Sequence, residues 1–463
     1  MVTKAVLFPT IVLSIISALL VYSKYDYLRY YISKSNSKKF EWMKGARIYQ
    51  VFIDRFAGHK SNYTNDELRM NFLNGNIKAL MTKLDYIKSM NFNMIWITPF
   101  YVNQPTGYHG YHAENYNHVD PRFAYGQNIE DDNVGDNFDP NDVNVETGAD
   151  LVLKEFVQEC HKRNLKVMMD FVPNHSYETF PIFQDAKNNA NSKYRNWFYF
   201  SDTVPGGYLT FLGLGILPKL NLENNEVQDY LIKSTEKFLR YGIDAVRVDH
   251  AIGPKREGLK AIIDKIHEKF PTVPFIGEIL PIGLSANANT VLGTTEETLI
   301  KLDSVTLDSL KIVDDLYLEY TDILDGVLDF TFLYYVDFFV NKKTITEEKC
   351  TELLEEHFNK FKDYPNFFLL KNLDSHDCDR IMFRCTNNMD LFQKAMKLLY
   401  KEYLDKRDLP VIYYGTEDFM TQEKSMDGES YGDHRCRQPM YFGKEWLTNL
   451  FEENKNKWKF LMK

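Results

Sequence analysis

Gly242-Ile243-Asp244-Ala245-Val246-Arg247-Val248-Asp249 is the stretch whose reading decides the fold. A helical pattern over residues 226–241 runs into Gly242, and the chain then turns almost continuously apolar before ending on a carboxylate. Such a run suits a strand buried on both faces, the habit of parallel sheets covered by helices. Arg247 and Asp249 stand two apart, so on a strand their side chains leave the same face and can meet. The same alternation recurs in both directions along the chain. Strands are expected at 47–52, 93–98, 166–171, 245–249, 275–278, 326–330, 366–370 and 410–414, with helical patterns at 77–90, 149–163, 226–241, 259–269 and 391–403. Eight strands alternating with helices predict α/β architecture closed into a (β/α)8 TIM barrel rather than an open sheet.

Two connections exceed simple turns. Residues 99–144 are acidic and rich in Tyr, Asn and Gly; residues 176–223 follow the third strand and are expected to form a small excursion domain. Long structured insertions on a barrel are usually functional. The chain after the eighth strand leaves room for a final helix and no C-terminal β-sandwich domain. The expected division is therefore residues 1–40 as an N-terminal hydrophobic segment and linker, and 41–463 as the catalytic barrel.

A barrel enzyme assembles its site from the C-terminal ends of its strands. Those ends supply Asp170 and His175, Arg247 and Asp249, Glu278, then His376 and Asp377. Singly, each has a plain structural reading: an Asp at a strand end often caps the next helix, and an Arg near an Asp is often an ion pair. Their joint placement at successive strand ends carries the functional reading. Arg247 beside Asp249 is expected to hold that carboxyl low and ionised, as a nucleophile requires. The apolar run Val273-Pro274-Phe275-Ile276-Gly277 before Glu278 is expected to raise its pKa, as a general acid requires. Two carboxyls so separated in pKa, about 5–5.5 Å apart, are the apparatus of a retaining glycosidase.

The motifs are specific. Asp170-Phe171-Val172-Pro173-Asn174-His175 resembles the first signature of the α-amylase family, glycoside hydrolase family 13. The run ending at Asp249 resembles the second, Phe275-Ile276-Gly277-Glu278 the third, and Asn372-Leu373-Asp374-Ser375-His376-Asp377 the fourth. Leu217-Pro218-Lys219-Leu220-Asn221 is similar to the fifth marker, with the lysine found in the neopullulanase and cyclomaltodextrinase branch. Tyr108-His109-Gly110-Tyr111 and Ile412-Tyr413-Tyr414-Gly415-Thr416-Glu417 add further matches. The resemblance implies Asp249 as nucleophile, Glu278 as acid/base and Asp377 as transition-state stabiliser. It implies Tyr111, His109, His175, Arg247 and His376 as substrate contacts and Asp170 as a partner of Arg247. No cofactor is implied as required. Asn174 matches a calcium ligand of the family, although the Lys-His pair that often follows the nucleophile is replaced by His250-Ala251-Ile252-Gly253.

Composition agrees with a large globular chain that binds no nucleic acid. Of 463 residues 44% are hydrophobic, and a net charge of -10 without a basic stripe leaves no footprint for a polyanion. The cysteines Cys160, Cys350, Cys378, Cys385 and Cys436 form no CxxC pair or zinc spacing and read as buried or idle thiols, with one disulfide bridge as the alternative. Residues 5–22 are apolar enough for a membrane anchor or a cleaved signal peptide, so the protein is expected to be membrane-anchored or secreted. Asn62-Tyr63-Thr64 is a glycosylation sequon, and Glu130-Asp131-Asp132-Asn133 an acidic loop. The expected activity is hydrolysis of α-1,4 or α-1,6 glucosidic bonds in maltooligosaccharides. The alternatives are transglycosylation by the same residues, and a non-enzymatic membrane subunit resembling amino-acid transporter heavy chains.

Overall fold

The computed structural model describes residues 39–59, 63–126, 138–427, 432–440 and 442. The apolar segment 5–22, Asn62 of the sequon and the acidic run 130–133 lie outside these residues. Among the described residues no helix is long and apolar enough to cross a membrane.

The barrel is formed by β1 (Ile48–Val51), β2 (Met94–Ile97), β5 (Lys166–Phe171), β6 (Ala245–Val248), β7 (Phe275–Gly277), β8 (Gly326–Asp329), β9 (Phe368–Asn372) and β10 (Asp408–Tyr413). All pairs are parallel, and β1 closes the ring by pairing with both β2 and β10. A separate antiparallel pair, β3 (Tyr101–Asn103) and β4 (Ala113–Val119), lies within the long connection after β2.

Period-two alternation builds the barrel interior in layers. Ile48, Met94, Met168, Ala245, Leu370 and Val411 belong to one buried apolar cluster inside the ring. One pleat further toward the C-terminal ends, the same faces carry Gln50, Trp96, Asp170 and Arg247, all buried. An apolar floor thus carries a polar layer at the end where the site opens. Phe40 joins the floor cluster with Met43. Each such side chain contributes roughly 1.5–3 kcal/mol when fully buried.

Three elements differ from the sequence expectation. The pattern 77–90 divides into helices Ile77–Met81 and Leu84–Ser89, because the Thr82 hydroxyl donates to Ala79 O at 2.7 Å and competes with the helical ladder. β9 extends to Asn372, two residues past the expected end. β10 begins at Asp408, ahead of Pro410. Tyr414 N–H donates to Gln50 O, so Pro410, an even number of residues away, faces β1 too; β1 enters the ladder only at Ile48, opposite Val411. The missing proline N–H therefore leaves no acceptor unfilled.

Between β5 and the helix Asn225–Arg240 the chain makes the excursion. It carries the helix Pro181–Asn188 and isolated bridges such as His175 to Lys219 and Thr210 to Pro218. Among the described residues no sheet follows β10.

Candidate active site

Arg247, fully buried near the end of β6, is the hub. Its Nη1 donates to Asp249 Oδ1 at 2.8 Å and to Asp170 Oδ1 at 2.7 Å. Its Nη2 lies 2.9 Å from Glu278 Oε1, an ion pair off the line of the N–H bonds. Asp170 and Arg247 are register partners on β5 and β6, while Asp249 and Glu278 are the first residues past β6 and β7. One guanidinium therefore gathers three carboxylates from three consecutive strands of the ring. Glu278 Oε2 accepts the backbone N–H of His250 at 2.9 Å. That N–H is aimed by a left-handed turn, His250 having φ +41°, uncommon outside glycine.

The facing wall comes from the β3–β4 turn and the loop after β9. Tyr111 OH donates to Asp170 Oδ2 at 2.9 Å and lies 2.7 Å from His376 Nε2, with the two rings stacked at 3°. Gln50 holds His376 Nδ1 at 2.8 Å. His376 Nε2 also pairs with Asp377 Oδ2 at 2.8 Å, and Asp377 Oδ1 accepts from Arg437 Nη2 at 2.8 Å. The turn approaches so closely that a Cβ on Gly110 would fall 2.1 Å from Pro99 O, and Gly110 sits at φ +87°. His109 lies beside Tyr111, its Nδ1 accepting the Tyr111 N–H at 3.1 Å. Exposure rises outward: the side chains of Asp249, Glu278 and Asp377 are 10%, 14% and 42% exposed. The group is thus a bowl with Asp377 nearest its mouth.

Burial pushes Asp249 up to about 7 and Asp170 to about 6, in each case against the pull of Arg247. Burial likewise raises Glu278 above the ordinary carboxyl value, with Arg247 opposing and Asp249 and Asp377 reinforcing. This corrects the expectation that Arg247 holds Asp249 low: three carboxylates share one guanidinium, and desolvation of the charged form is the larger effect. Asp377 differs. The low-dielectric walls work to raise it, but His376, Arg437 and Arg247 together hold it well below the usual carboxylate range.

The expected residues thus converge, with two differences in detail. His175 has both ring nitrogens on protein groups, Nε2 at 3.2 Å from Tyr111 O and Nδ1 at 3.2 Å from Asn174 Nδ2, so as placed it braces the Tyr111 backbone. Asn174, matched to a calcium ligand, accepts at Oδ1 a hydrogen bond from buried Lys219 Nζ. Burial lowers Lys219 to about 7, and charged or neutral its nitrogen still donates. A donor nitrogen on the oxygen that a metal would use does not fit calcium at Asn174. Among the described residues no group of three His, Cys, Asp or Glu side chains could hold a metal ion.

Arg437 is the residue sequence reasoning missed. It lies far beyond the last strand, buried, with Nε on His376 O at 2.7 Å, Nη2 on Asp377 and Nη1 paired with Asp433. Its only local signal is the Asp433–Arg437 spacing of four, common on any helix. Trp96 was likewise legible only as a strand residue.

A closed barrel whose bowl holds carboxylates around one buried arginine defines a class, and comparison with known proteins places the chain in it. The family model described as the alpha amylase catalytic domain matches residues 50–145 and 126–459, and the chain belongs to the alpha-amylase family. It is 30% identical over 416 residues to Alpha-amylase 2 of Dictyoglomus thermophilum, covering 89% of this chain and 61% of that protein. It is 27% identical to a cyclomaltodextrinase of Bacillus sp, covering 88% and 62%. It is 26% identical to Neopullulanase 2 of Thermoactinomyces vulgaris, covering 89% and 62%. The chain thus spans about three fifths of the length of these curated relatives. Among solved structures, the alpha-amylase of Geobacillus thermoleovorans complexed with acarbose shares the fold at TM-score 0.64 and 23% identity, covering 91% of this chain and 79% of that one. A solved cyclomaltodextrinase does so at TM-score 0.65 and 24% identity, covering 91% and 64%.

Proposed function

We propose that this chain is a retaining glycosidase that hydrolyses α-1,4 or α-1,6 glucosidic bonds in maltooligosaccharides or related short α-glucans. One observation carries the reading: Asp249 and Glu278 reach the same buried Arg247 guanidinium from adjacent strands at the open end of the barrel. The excess of negative charge around Arg247 favours keeping one proton in the cluster. Asp249 takes the direct hydrogen bond of the guanidinium, whereas the Glu278 contact is off-line, so the proton belongs on Glu278 and the charge on Asp249. In the first step the Asp249 carboxylate attacks the anomeric carbon, the glycosidic C–O bond breaks, and Glu278 delivers its proton to the departing oxygen. In the second, Glu278 takes a proton from water, whose oxygen attacks the same carbon and releases Asp249. Asp377, kept charged beside the mouth, faces the positive charge that develops on the sugar ring. His376 and Tyr111 are placed to meet its hydroxyls.

Relatives named cyclomaltodextrinase and neopullulanase, together with Lys219 in the fifth marker, favour short or cyclic substrates. The convergence of all three carboxylates speaks against a non-enzymatic membrane subunit. Release of reducing sugar from maltotriose should be lost in Asp249→Asn and Glu278→Gln; activity retained in both variants refutes the assignment. Product analysis separates hydrolysis from transfer, since only transfer yields oligomers longer than the substrate. Anchoring or secretion through residues 5–22 is part of the same proposal, and N-terminal sequencing of the mature protein separates a retained segment from a cleaved one.

A further inference from the structure

A cleft of about 360 Å³, separate from the bowl, lies between the excursion and the two helices that lead into β5 and β6. Residues 140–144 form one wall, the neighbourhood of the 3-10 helix Arg195–Trp197 a second, and the first turns of the helix Asn225–Arg240 a third. That helix runs into β6, and the helix Gly148–Lys162 beyond the first wall runs into β5. Both therefore start at the end of the barrel where the bowl opens. None of the residues lining the cleft belongs to the bowl, so the cleft stands on the rim outside the ring of strands.

Its base is aromatic and held in place. Trp197 is buried, and its Nε1 donates to Glu226 Oε2 at 2.9 Å. The Trp197 ring packs 5.7 Å from Tyr230 and, edge-on at 85°, 5.2 Å from Tyr194. Tyr194 stays half-buried, and the Lys193 ammonium lies 4.7 Å from its ring centroid. The mouth is polar, with Asn144, Asp229 and Lys233 all exposed. Among the described residues the Asn144 amide and the Lys233 ammonium have no partner, which leaves both for a ligand.

The charges decide what kind of ligand fits. Lys193 and Lys233 are offset by Glu226 and Asp229, so the cleft has no net field to draw in an ion. Glu226 is engaged by Trp197, and Asp229 lies 3.6 Å from Lys265 Nζ, so neither carboxylate is set for a cation. Amide and ammonium donors, carboxylate acceptors and a partly open aromatic ring suit a neutral polyhydroxyl compound. The volume is at the small end for ligand clefts, the scale of a short sugar chain.

We propose that this cleft is an additional α-glucan site, which holds one stretch of a long chain on the rim while the bowl cleaves another. The choice of an α-glucan rests on the function proposed above. Linking the sites through one substrate makes the second binding event intramolecular and raises the effective concentration of glucan at the bowl. A trisaccharide is too short to gain from it.

The test begins with the inactive Glu278→Gln chain, dialysed to equilibrium against maltotriose. A further molecule per chain, beyond the one in the bowl, is expected, and should be lost when Tyr194→Ala and Lys233→Ala are added. In the active protein the same substitutions should leave kcat/KM for maltotriose within about twofold and raise KM for amylose roughly tenfold. Lys233→Ala alone, at an exposed helix position, should raise KM for amylose less, which separates loss of the site from misfolding at Tyr194. Binding confined to the bowl, a further molecule that survives both substitutions, an unchanged KM for amylose, or equal losses on both substrates each overturn the proposal. Wild-type protein that leaves maltotriose uncleaved refutes the glycosidase reading, and with it the choice of occupant.

Discussion

Replacing Arg247 by methionine removes the single positive charge at the centre of the carboxylate cluster while keeping an unbranched apolar stem. Its nitrogens lie 2.7–2.9 Å from oxygens of Asp170, Asp249 and Glu278. At a charge separation of ~4 Å and an effective dielectric of ~20, one such interaction amounts to ~4 kcal/mol, or ~3 pKa units. Relaxation and water entry reduce this, and a shift of ~2 units is expected. Arg247 favours the charged form of Asp249, so its loss moves a carboxyl already raised to about 7 further upward. The fraction ionised at neutral pH then falls by roughly fiftyfold, and kcat/KM with it. The assay is kcat/KM for α-maltosyl fluoride against pH, with near-ultraviolet circular dichroism as the folding control. In the wild type the acid limb should lie above 3.8, the ordinary aspartate value, because burial raises Asp249; in Arg247→Met it should move up by ~2 pH units. Arg247→Lys keeps the charge but cannot bridge three carboxylates, and should fall between. A folded Arg247→Met protein whose acid limb stays in place refutes the electrostatic account of the cluster.

Three other expectations rest on the same geometry. Arg437→Ala should lower kcat on maltotriose by roughly ten- to a hundredfold, the worth of a charge-assisted hydrogen bond to Asp377; unchanged kinetics would remove Arg437 from the site. Asn174→Ala should leave any response of Tm to EDTA and calcium unchanged, since Lys219 already donates to the Asn174 oxygen; a calcium response lost in that variant contradicts the placement. His357 is buried between Asp314 at 2.8 Å and Asp329 at 2.9 Å, and His357→Asn should cost about 3–5 kcal/mol in denaturant unfolding. Although burial works to lower it, the two aspartates raise His357 to about 10. The stability it contributes is therefore fully present below the ordinary histidine value and lost as pH rises through about 10. The gap in stability between wild type and His357→Asn should narrow over that window, and a gap that stays constant would exclude a charged imidazolium.

The sequence by itself determined the barrel and the identity of its central residues, because both follow from local pattern. Apolar runs ending in Asp249, Glu278 and Asp170 mark buried strands and their C-terminal ends, and period two fixes which side chains share a face. Breaks such as that at Thr82 escaped because a single hydroxyl decides them. Only the tertiary structure decided the protonation balance and the outer wall of the site. Whether Arg247 or burial sets the pKa of Asp249 depends on how many carboxylates converge on one guanidinium, and that number exists only once β5, β6 and β7 are side by side. Arg437 comes from a connection whose course no local pattern constrains. Its meeting with Asp377 is a matter of distance in space, which adjacency along the chain does not encode.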